Sequence, residues 1–252
     1  MIKEDIRYKD GCVFEGMTSV SAVINSKHSD RKIIRVLYDT EKAEKLARPL
    51  AYLRHRADEL GFEMTAVKAE ELDKITVGSS HGGVAAECTG RSIPAIKADD
   101  IAENGFYAYI EGIEDPYNFG YALRSLYAAG VDGVILPERN WMSAAGVVCR
   151  SSAGASELCA LYMSNDAMCG VFREKGYKII CSDTENAVSV YDADCKKPLM
   201  LVVGGEKRGI TKKLLSEADT IVKIDYGRDF PAALSAASAA AVLGFEIMRQ
   251  NR

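Results

Sequence analysis

The chain has 252 residues, of which 48% are apolar and 27% are charged, with a formal net charge of −4. These values are typical of an ordinary globular protein with one large or two modest domains, and they exclude a low-complexity chain. No apolar run approaches the ~20 residues of a membrane helix, and residues 1–10 lack the apolar centre of a signal peptide. We therefore expect a cytoplasmic protein with no membrane contact.

The first half of the chain predicts a small α/β domain, because strand and helix patterns alternate along it. The predicted elements are, in order, a helix at 16–26, a strand at 32–38, a helix at 41–60 that stops at Gly61, a strand at 62–67, a short helix at 69–74 and a strand at 83–88. Residues 92–105 contain a proline, a pair of aspartates and a turn-forming Glu-Asn-Gly, which is typical of a domain boundary. We place a first domain at 1–95, a linker at 96–105 and a second domain at 106–252.

The second domain predicts a mostly parallel sheet covered by helices. Strands are expected at 106–113, 133–136, 177–181, 199–203 and 220–224, and helices at 118–129, 143–149, 167–176, 211–217 and 232–249. The apolar run 199–203 predicts a strand buried on both faces, and a glycine pair follows it at Gly204 and Gly205. The turn fits neither a G-x-x-x-x-G-K-[ST] phosphate loop nor a G-x-G-x-x-G dinucleotide turn.

Cysteine and histidine usage argues against a disulfide framework and against a metal centre. The seven cysteines contain no C-x-x-C pair, and the three histidines lie far apart in the sequence. In a chain without a signal peptide this pattern favours reduced thiols, buried as small apolar side chains. We expect no metal site.

Positive residues are concentrated in two places in the first domain. Residues 27–35 contain Lys27, His28, Arg31, Lys32 and Arg35, and a second cluster occupies 54–56. Each cluster is either a solvated face or a local contact for an anionic partner, and composition alone leaves these alternatives about even.

Three stretches of the second domain combine polar or glycine residues with strand ends. The first runs from Asp115 to Arg124, where Asn118 is suited to capping a helix and Arg124 to a surface charge. The second contains Glu206, which is either a ligand for an anchoring group or a charge at a helix start. The third is the polar loop 225–231 with the Ala- and Ser-rich stretch after it, where small residues permit close approach by the chain itself or by a ligand.

Together these stretches resemble the three motifs of the SpoU/TrmH family of RNA 2′-O-ribose methyltransferases, in the SPOUT superfamily. The motifs are D-P-Y-N-F-G-Y-A-L-R-S at 115–125, G-G-E-K-R-G-I at 204–210 and I-D-Y-G-R-D-F-P-A-A-L-S from residue 224. The segment S-A-G-A at 152–155 resembles a further family segment. The first domain is similar to the L30e-like substrate-binding domain of that family, through G-M-T-S-V-S-A-V and S-H-G-G-V-A-A.

The resemblance implies an α/β domain with a trefoil knot at its carboxyl end, which forms a homodimer and binds S-adenosylmethionine. It implies methyl transfer to a ribose 2′-hydroxyl of ribosomal or transfer RNA. By motif match, Arg124 lies at the reacting ribose, and Asn118 and Glu206 shape the site. The matched cofactor-binding positions, which act largely through backbone groups, are Gly204, Gly205, Gly209, Ile224, Leu234 and Ser235.

The third motif departs from the family pattern. Ala233-Leu234-Ser235 stands where the family usually has Ser-Leu-Asn, and Asp225 stands where it tends to have proline. The departures leave open an alternative, a catalytically weakened protein of the same fold that binds RNA or S-adenosylmethionine. A Rossmann-type oxidoreductase is a distant third possibility, because no dinucleotide glycine pattern follows a strand.

Overall fold

A computed structural model describes residues 12–77, 81–137, 144–165 and 167–252. The described residues divide into two compact units. The first unit contains the residues up to Ser92 and the segment that ends at Leu158, and the second contains the remainder from Ile93 onward. Each unit is built around its own sheet.

Eleven strands and nine α-helices are formed by these residues. The strands are β1 (Val13–Glu15), β2 (Ile33–Asp39), β3 (Glu63–Val67), β4 (Val84–Cys88), β5 (Phe106–Ile110), β6 (Gly133–Leu136), β7 (Leu161–Met163), β8 (Lys178–Ser182), β9 (Val188–Ser189), β10 (Leu199–Val203) and β11 (Thr220–Lys223). The helices are α1 (Gly16–Asn25), α2 (Ala47–Leu60), α3 (Ala69–Ile75), α4 (Pro116–Ala128), α5 (Ala145–Ser151), α6 (Ala155–Leu158), α7 (Met168–Glu174), α8 (Lys212–Ser216) and α9 (Ala236–Gln250).

The first unit has a four-stranded sheet in the order β1-β4-β2-β3. Only β2 and β3 pair in parallel; the other pairs are antiparallel. Its apolar core includes Phe14, Val36 and Leu53, and Ala145 and Cys149 from α5 belong to the same core. The segment 144–158 therefore folds with the first unit, which differs from the predicted division of the chain at residue 95.

The second unit has a seven-stranded sheet in the order β7-β6-β5-β10-β8-β11-β9, and every one of these pairs is parallel. The predicted α/β class and mostly parallel sheet are thus confirmed. Strand β10 lies between β5 and β8, and all five of its residues are buried, as the apolar run predicts. The trefoil knot stays a prediction of the resemblance.

The predicted linker at 96–105 is an integral part of the second unit. The Ile96 N–H donates to the Met163 carbonyl at 3.0 Å, beside the edge strand β7. The Tyr177 hydroxyl donates to the Ala102 carbonyl at 2.6 Å and accepts from the Gly105 N–H at 2.8 Å. Burial raises the pKa of Tyr177 to about 12, so this hydroxyl stays protonated and can donate at neutral pH.

Several predicted boundaries move for local reasons. The predicted helix 41–60 begins only at Ala47, since Asp39 caps a separate 3₁₀ turn at Thr40–Lys42. The last helix begins at Ala236 and not at residue 232, because Ser235 caps it. Strands β1, β7 and β9 were missed, as they contain three, three and two residues, too few to show a periodic pattern.

The seven cysteines are free thiols, and six of them are buried. Burial raises the pKa of Cys149 and of Cys181 to about 12, so both stay protonated at neutral pH and behave as small apolar side chains. Within the described ranges, no helix has the length and apolar character that crossing a membrane requires.

Candidate active site

The candidate site lies in the second unit, where the parallel strands β5 and β10 end side by side. Ile110 and Val203, the last residues of the two strands, are register partners, and the Glu111 N–H donates to the Val203 carbonyl at 2.8 Å. Ligands of open α/β sheets bind at such carboxyl ends. The chain then continues into two turns, residues 111–115 after β5 and residues 204–210 after β10.

The glycines of the second turn permit backbone to approach backbone. A Cβ atom added at Gly205 would lie 2.5 Å from the carbonyl carbon of Gly112, and one added at Gly204 would lie 2.5 Å from that of Gly209. The Gly209 N–H donates to the Gly205 carbonyl at 2.9 Å and closes the turn. Here the close approach expected from the sequence is made by the chain itself.

Glu206 connects the three motif segments. Its Oε1 accepts from the Asn118 side-chain amide at 3.1 Å and from the Ala236 backbone N–H at 3.3 Å. Asn118 belongs to the first turn of α4, and Ala236 is the first residue of α9. One carboxylate thus holds two helix starts beside the end of β10.

The predicted helix-capping role of Asn118 is wrong. Asp115 is the N-cap of α4, with its Oδ2 accepting from the Asn118 backbone N–H at 2.7 Å. Pro116 occupies the first helical position, where its missing N–H costs nothing. Because Asp115 satisfies the helix end, the Asn118 side chain is left to bind Glu206.

The start of α9 is held by two further side chains. The Ser235 Oγ accepts from the Ser238 N–H at 3.1 Å, and the Tyr226 hydroxyl accepts from the Leu234 N–H at 3.0 Å. Tyr226 also lies against Phe230, with ring centroids 6.3 Å apart. Both rings are substantially exposed, at 40% and 57%. The sequence did not single out Tyr226, since no motif predicts a side chain that closes its own loop.

A cleft of about 110 Å³ opens between the two turns. It is lined by Gly112, Ile113, Glu114, Asp115, Asn118, Glu206 and Lys207. The charged groups are three carboxylates and one ammonium, and Lys207 Nζ lies 3.0 Å from Glu114 Oε2. The excess of negative charge favours a cationic group over a phosphate in this cleft.

The other predicted site residues are not among those that line the cleft. Ile224 follows β11 directly and is half-buried. Arg124 lies on α4 and is exposed, and within the described residues its guanidinium makes no hydrogen bond or ion pair. The structure therefore brings Asn118 and Glu206 together and leaves Arg124 free to meet a ligand.

The sequence analysis predicted strand β8 but did not include the polar residues at its end among the candidate site residues. Strand β8 lies between β10 and β11, so its carboxyl end lies between the glycine turn and Ile224. The polar residues Ser182, Asp183 and Thr184 occur there, and the Asp183 N–H donates to the Val222 carbonyl at 3.0 Å. The signal was available, since a polar turn follows an apolar strand.

No three histidine, cysteine, aspartate or glutamate side chains are placed to hold a metal ion in the ranges that the structure describes. The groups that converge on the cleft are carboxylates, an amide and backbone N–H donors. Such an arrangement can position a polar or cationic ligand.

Two protein-family models match the chain. The model described as the SpoU rRNA Methylase family matches residues 105–245, which is more than half of the chain. The model described as RNA 2′-O ribose methyltransferase substrate binding matches residues 13–94.

Curated relatives match over nearly the whole chain. A 23S rRNA (guanosine-2′-O-)-methyltransferase RlmB from Shewanella oneidensis is 28% identical and covers 100% of both chains. The RlmB protein of Xanthomonas axonopodis is 27% identical, over 93% of this chain and 96% of its own.

Solved structures share the fold. An AdoMet-bound rRNA methyltransferase from Sinorhizobium meliloti superposes with a TM-score of 0.74 at 21% identity, over 98% of this chain and 94% of that chain. The SpoU methyltransferase AviRb from Streptomyces viridochromogenes, in complex with AdoMet, gives a TM-score of 0.73 at 21% identity, over 94% and 89%.

Proposed function

Because the chain belongs to the SpoU rRNA methylase family, we propose that it transfers a methyl group from S-adenosylmethionine to a ribose 2′-hydroxyl of RNA. One observation carries the proposal. Glu206 binds both the Asn118 amide and the Ala236 N–H, so the three segments that resemble the family motifs meet at one carboxylate. A motif resemblance that arose by chance would not require the segments to meet.

The residues present fit S-adenosylmethionine. The backbone turns after β10 and β11, with Gly204, Gly205, Gly209, Ile224, Leu234 and Ser235, are the proposed cofactor-binding positions. The negative charge of the cleft suits a sulfonium cation. A cleft of about 110 Å³ holds only part of such a molecule, since drug-sized ligands occupy pockets of roughly 300–1,000 Å³. The rest of the cofactor can lie on the residues that follow β8 and β11, at 182–184 and 224–234.

The bound cofactor supplies a methyl group that is already activated by the positive sulfur, so the protein's task is alignment and removal of the hydroxyl proton. Arg124 is exposed on α4, the helix that Asn118 and Glu206 fix beside the cleft. A guanidinium with a pKa above ~12 is a poor general base. We assign Arg124 to gripping a phosphate and orienting the 2′-hydroxyl through charge-assisted hydrogen bonds.

Arg124→Ala tests this assignment. Loss of an electrostatic group at the reacting atoms lowers kcat by about 10²–10³-fold in comparable cases, while the affinity for S-adenosylmethionine and the melting temperature should stay unchanged because Arg124 is exposed. Labelled methyl transfer into RNA and calorimetric titration of the cofactor measure the two effects separately. Arg124→Lys, which keeps the charge and loses the planar fork, should recover only part of the activity.

Arg173→Ala is the matched control. Arg173 is another exposed arginine of the second unit, and its ion pair with Glu217 lies at the surface, where such pairs contribute little. Full turnover by Arg124→Ala would refute the assignment. Cofactor binding by the wild-type protein without any methyl transfer would instead favour the catalytically weakened alternative.

We propose ribosomal RNA as the substrate, by extension from the full-length relative whose name specifies that RNA. Methyl transfer into total RNA from a strain that lacks the protein, followed by mapping of the modified nucleotide, tests this extension. Methylation confined to transfer RNA would contradict it.

We further propose a cytoplasmic homodimer that associates through the second unit. Helices α4 and α9 pack on each other and leave large side chains exposed, namely Tyr121, Tyr127 and Phe245 at 42–47% exposure. Exposed apolar groups on adjacent helices are typical of an association surface. Sedimentation equilibrium measures the oligomeric state, and a monomer at micromolar concentration would contradict the proposal.

A further inference from the structure

The first unit contains a buried ion pair that the proposed chemistry does not use. Arg31 Nε lies 3.1 Å from Glu157 Oε2, and the two side chains are 0% and 3% exposed. The Arg31 guanidinium also donates from Nη1 to the Thr89 carbonyl at 2.6 Å and lies 4.5 Å above the Phe14 ring. A buried ion pair contributes little net stability, because desolvation offsets the attraction, but it can specify a conformation.

The conformation specified here is that of the turn at residues 26–31, between α1 and β2. The Ser26 hydroxyl donates to the Glu157 carbonyl at 2.5 Å, and the Ser29 hydroxyl donates to Glu157 Oε2 at 3.2 Å. Arg91, itself only 8% exposed, donates from Nη2 to the His28 carbonyl at 2.9 Å. Buried charged groups therefore hold this exposed turn on both sides.

The fixed turn presents exposed cations next to an exposed aromatic ring. Lys27 and His28 are both exposed. Two residues before Lys27, the Asn25 amide donates to the Tyr52 hydroxyl at 3.3 Å, which joins the end of α1 to the middle of α2. Tyr52 is 36% exposed.

Arg48 and His55 extend this surface along α2, one turn before and one turn after Tyr52 on the same helix face. We call Asn25, Lys27, His28, Arg48, Tyr52 and His55 the Tyr52 surface. His55 Nε2 lies 3.4 Å from Glu59 Oε1, and Arg56 pairs with the same carboxylate. Glu59 therefore lies at the His55 end of the surface. Lys27 and Arg48 form no ion pair within the described residues and are free for an anionic partner.

We propose that the Tyr52 surface binds a single-stranded segment of the substrate RNA, with a base stacked on Tyr52 and phosphates at Lys27 and Arg48. The inference rests on the proposed function. Cations around an exposed aromatic ring match the way proteins hold unpaired nucleotides, by stacking and by backbone charge. A turn held rigid by buried groups reduces the ordering cost of binding. In the predicted basic cluster at 27–35, Arg31 is buried and Arg35 is paired with Glu87 at 2.7 Å, so these two arginines do not belong to the Tyr52 surface.

The test uses the full-length protein and a short fluorescein-labelled single-stranded RNA, with the duplex of the same length as comparison. Tyr52→Ala should weaken single-strand binding by roughly 5- to 150-fold, the range expected for loss of one stacked base. Tyr52→Phe should bind like wild type, because the stacking ring remains. Lys27→Ala and Arg48→Ala should each reduce the slope of log affinity against log salt by about 0.7.

Lys68→Ala is the matched charge control. Lys68 is exposed in the same unit and follows the end of β3, whereas the 26–31 turn precedes the start of the parallel strand β2, so the two lie at opposite ends of the sheet. Lys68→Ala should leave both affinity and salt slope unchanged. Melting temperatures within a degree of wild type identify variants that are fully folded.

Methyl transfer distinguishes failure of this inference from failure of the proposed function. The Tyr52 variant should raise KM for RNA and leave KM for S-adenosylmethionine and kcat unchanged. If the wild-type protein methylates RNA and Tyr52→Ala leaves both RNA affinity and KM unaffected, the Tyr52 surface is not the RNA contact. If the wild-type protein neither binds nor methylates RNA, the proposed function itself fails. Equal loss of affinity in the Lys68 control would also overturn the proposal.

Discussion

Two turns of the second unit border the candidate site and are held in opposite ways. The glycine turn at 204–210 is fixed by backbone meeting backbone, at Gly205 with Gly112 and at Gly204 with Gly209. The loop at 225–235 is fixed by side chains, with the Tyr226 hydroxyl on Leu234 and the Ser235 hydroxyl on Ser238. Glu206 links the two segments, since it belongs to the glycine turn and its side chain accepts from the Ala236 N–H at the start of the helix that follows the loop.

This difference determines which positions can be changed without moving the backbone. A backbone contact has no adjustable group, so any added atom displaces the chain itself. A side-chain hydrogen bond can be removed alone, at a net cost of about 0.5–1.5 kcal/mol. The motif resemblance predicts departures from the family pattern in the loop, at Asp225 and Ala233-Leu234-Ser235, and a match in the glycine turn. The predicted departures thus fall in the segment that is held by single side chains.

Gly205→Ala should give the largest effect of the comparison. The new Cβ atom would lie 2.5 Å from the Gly112 carbonyl carbon, so the two strand-end turns must separate. Overpacking of this kind costs about 1–3 kcal/mol. We expect that loss in the free energy of unfolding from urea denaturation, together with loss of methyl transfer.

Gly227→Ala is the matched control in the other loop. A Cβ atom added at Gly227 meets nothing within 4 Å. The same chemical change should therefore leave stability within about 0.5 kcal/mol of wild type, as for ordinary surface substitutions. Equal effects of the two alanines would show that backbone support and side-chain support do not differ in their energetic consequence.

Glu206→Ala should have an intermediate effect. The Asn118 amide and the Ala236 N–H both lose their acceptor. The amide can turn to water because its hydrogen bond to Glu206 is exposed, whereas Ala236 is only 4% exposed. We expect a loss of about 0.5–1.5 kcal/mol in stability and a larger loss in methyl transfer, since the helix starts are no longer aligned. Glu206→Gln keeps a carbonyl oxygen as acceptor and should retain most of the stability. If alanine and glutamine behave alike, the hydrogen bonds to Glu206 do not support the site.

The sequence predicts features whose causes are local. The run Leu199–Val203 has no polar residue, and it forms the buried central strand as expected. The contact between Asn118 and Glu206 joins residues 88 apart, so local pattern could place each residue at a strand end but could not pair them. The observed cap is Asp115 and the predicted cap was Asn118. Both residue types are favoured at helix N-caps, so the two can be distinguished only when the first residue of the helix is known.

The local sequence pattern also could not predict that residues 144–158 belong to the first unit. Ala145 and Cys149 are apolar helix positions that suit either unit, and the structure buries them in the core of the first. The decisive group is Glu157, whose partner Arg31 lies 126 positions earlier. A buried charge pair of that separation leaves no periodic signal, because each residue alone is typical of a solvated surface.

Tyr226→Phe should give the smallest effect, and it tests the support of the loop at 225–235 by removing a single hydroxyl group. It removes the acceptor of the Leu234 N–H and keeps the ring that lies against Phe230. Removing one exposed hydrogen bond costs at most about 1 kcal/mol, which is a loss of up to roughly fivefold in affinity if the loop must be closed to hold the cofactor. Calorimetric titration of S-adenosylmethionine measures this loss, with kcat at saturating cofactor expected to stay constant.

Tyr191→Phe is the control, since Tyr191 is 51% exposed and within the described residues its hydroxyl has no hydrogen-bond partner. Tighter cofactor binding by Tyr226→Phe would reverse the interpretation, because the hydroxyl would then compete with the cofactor for the Leu234 N–H and the loop would be held closed against its ligand.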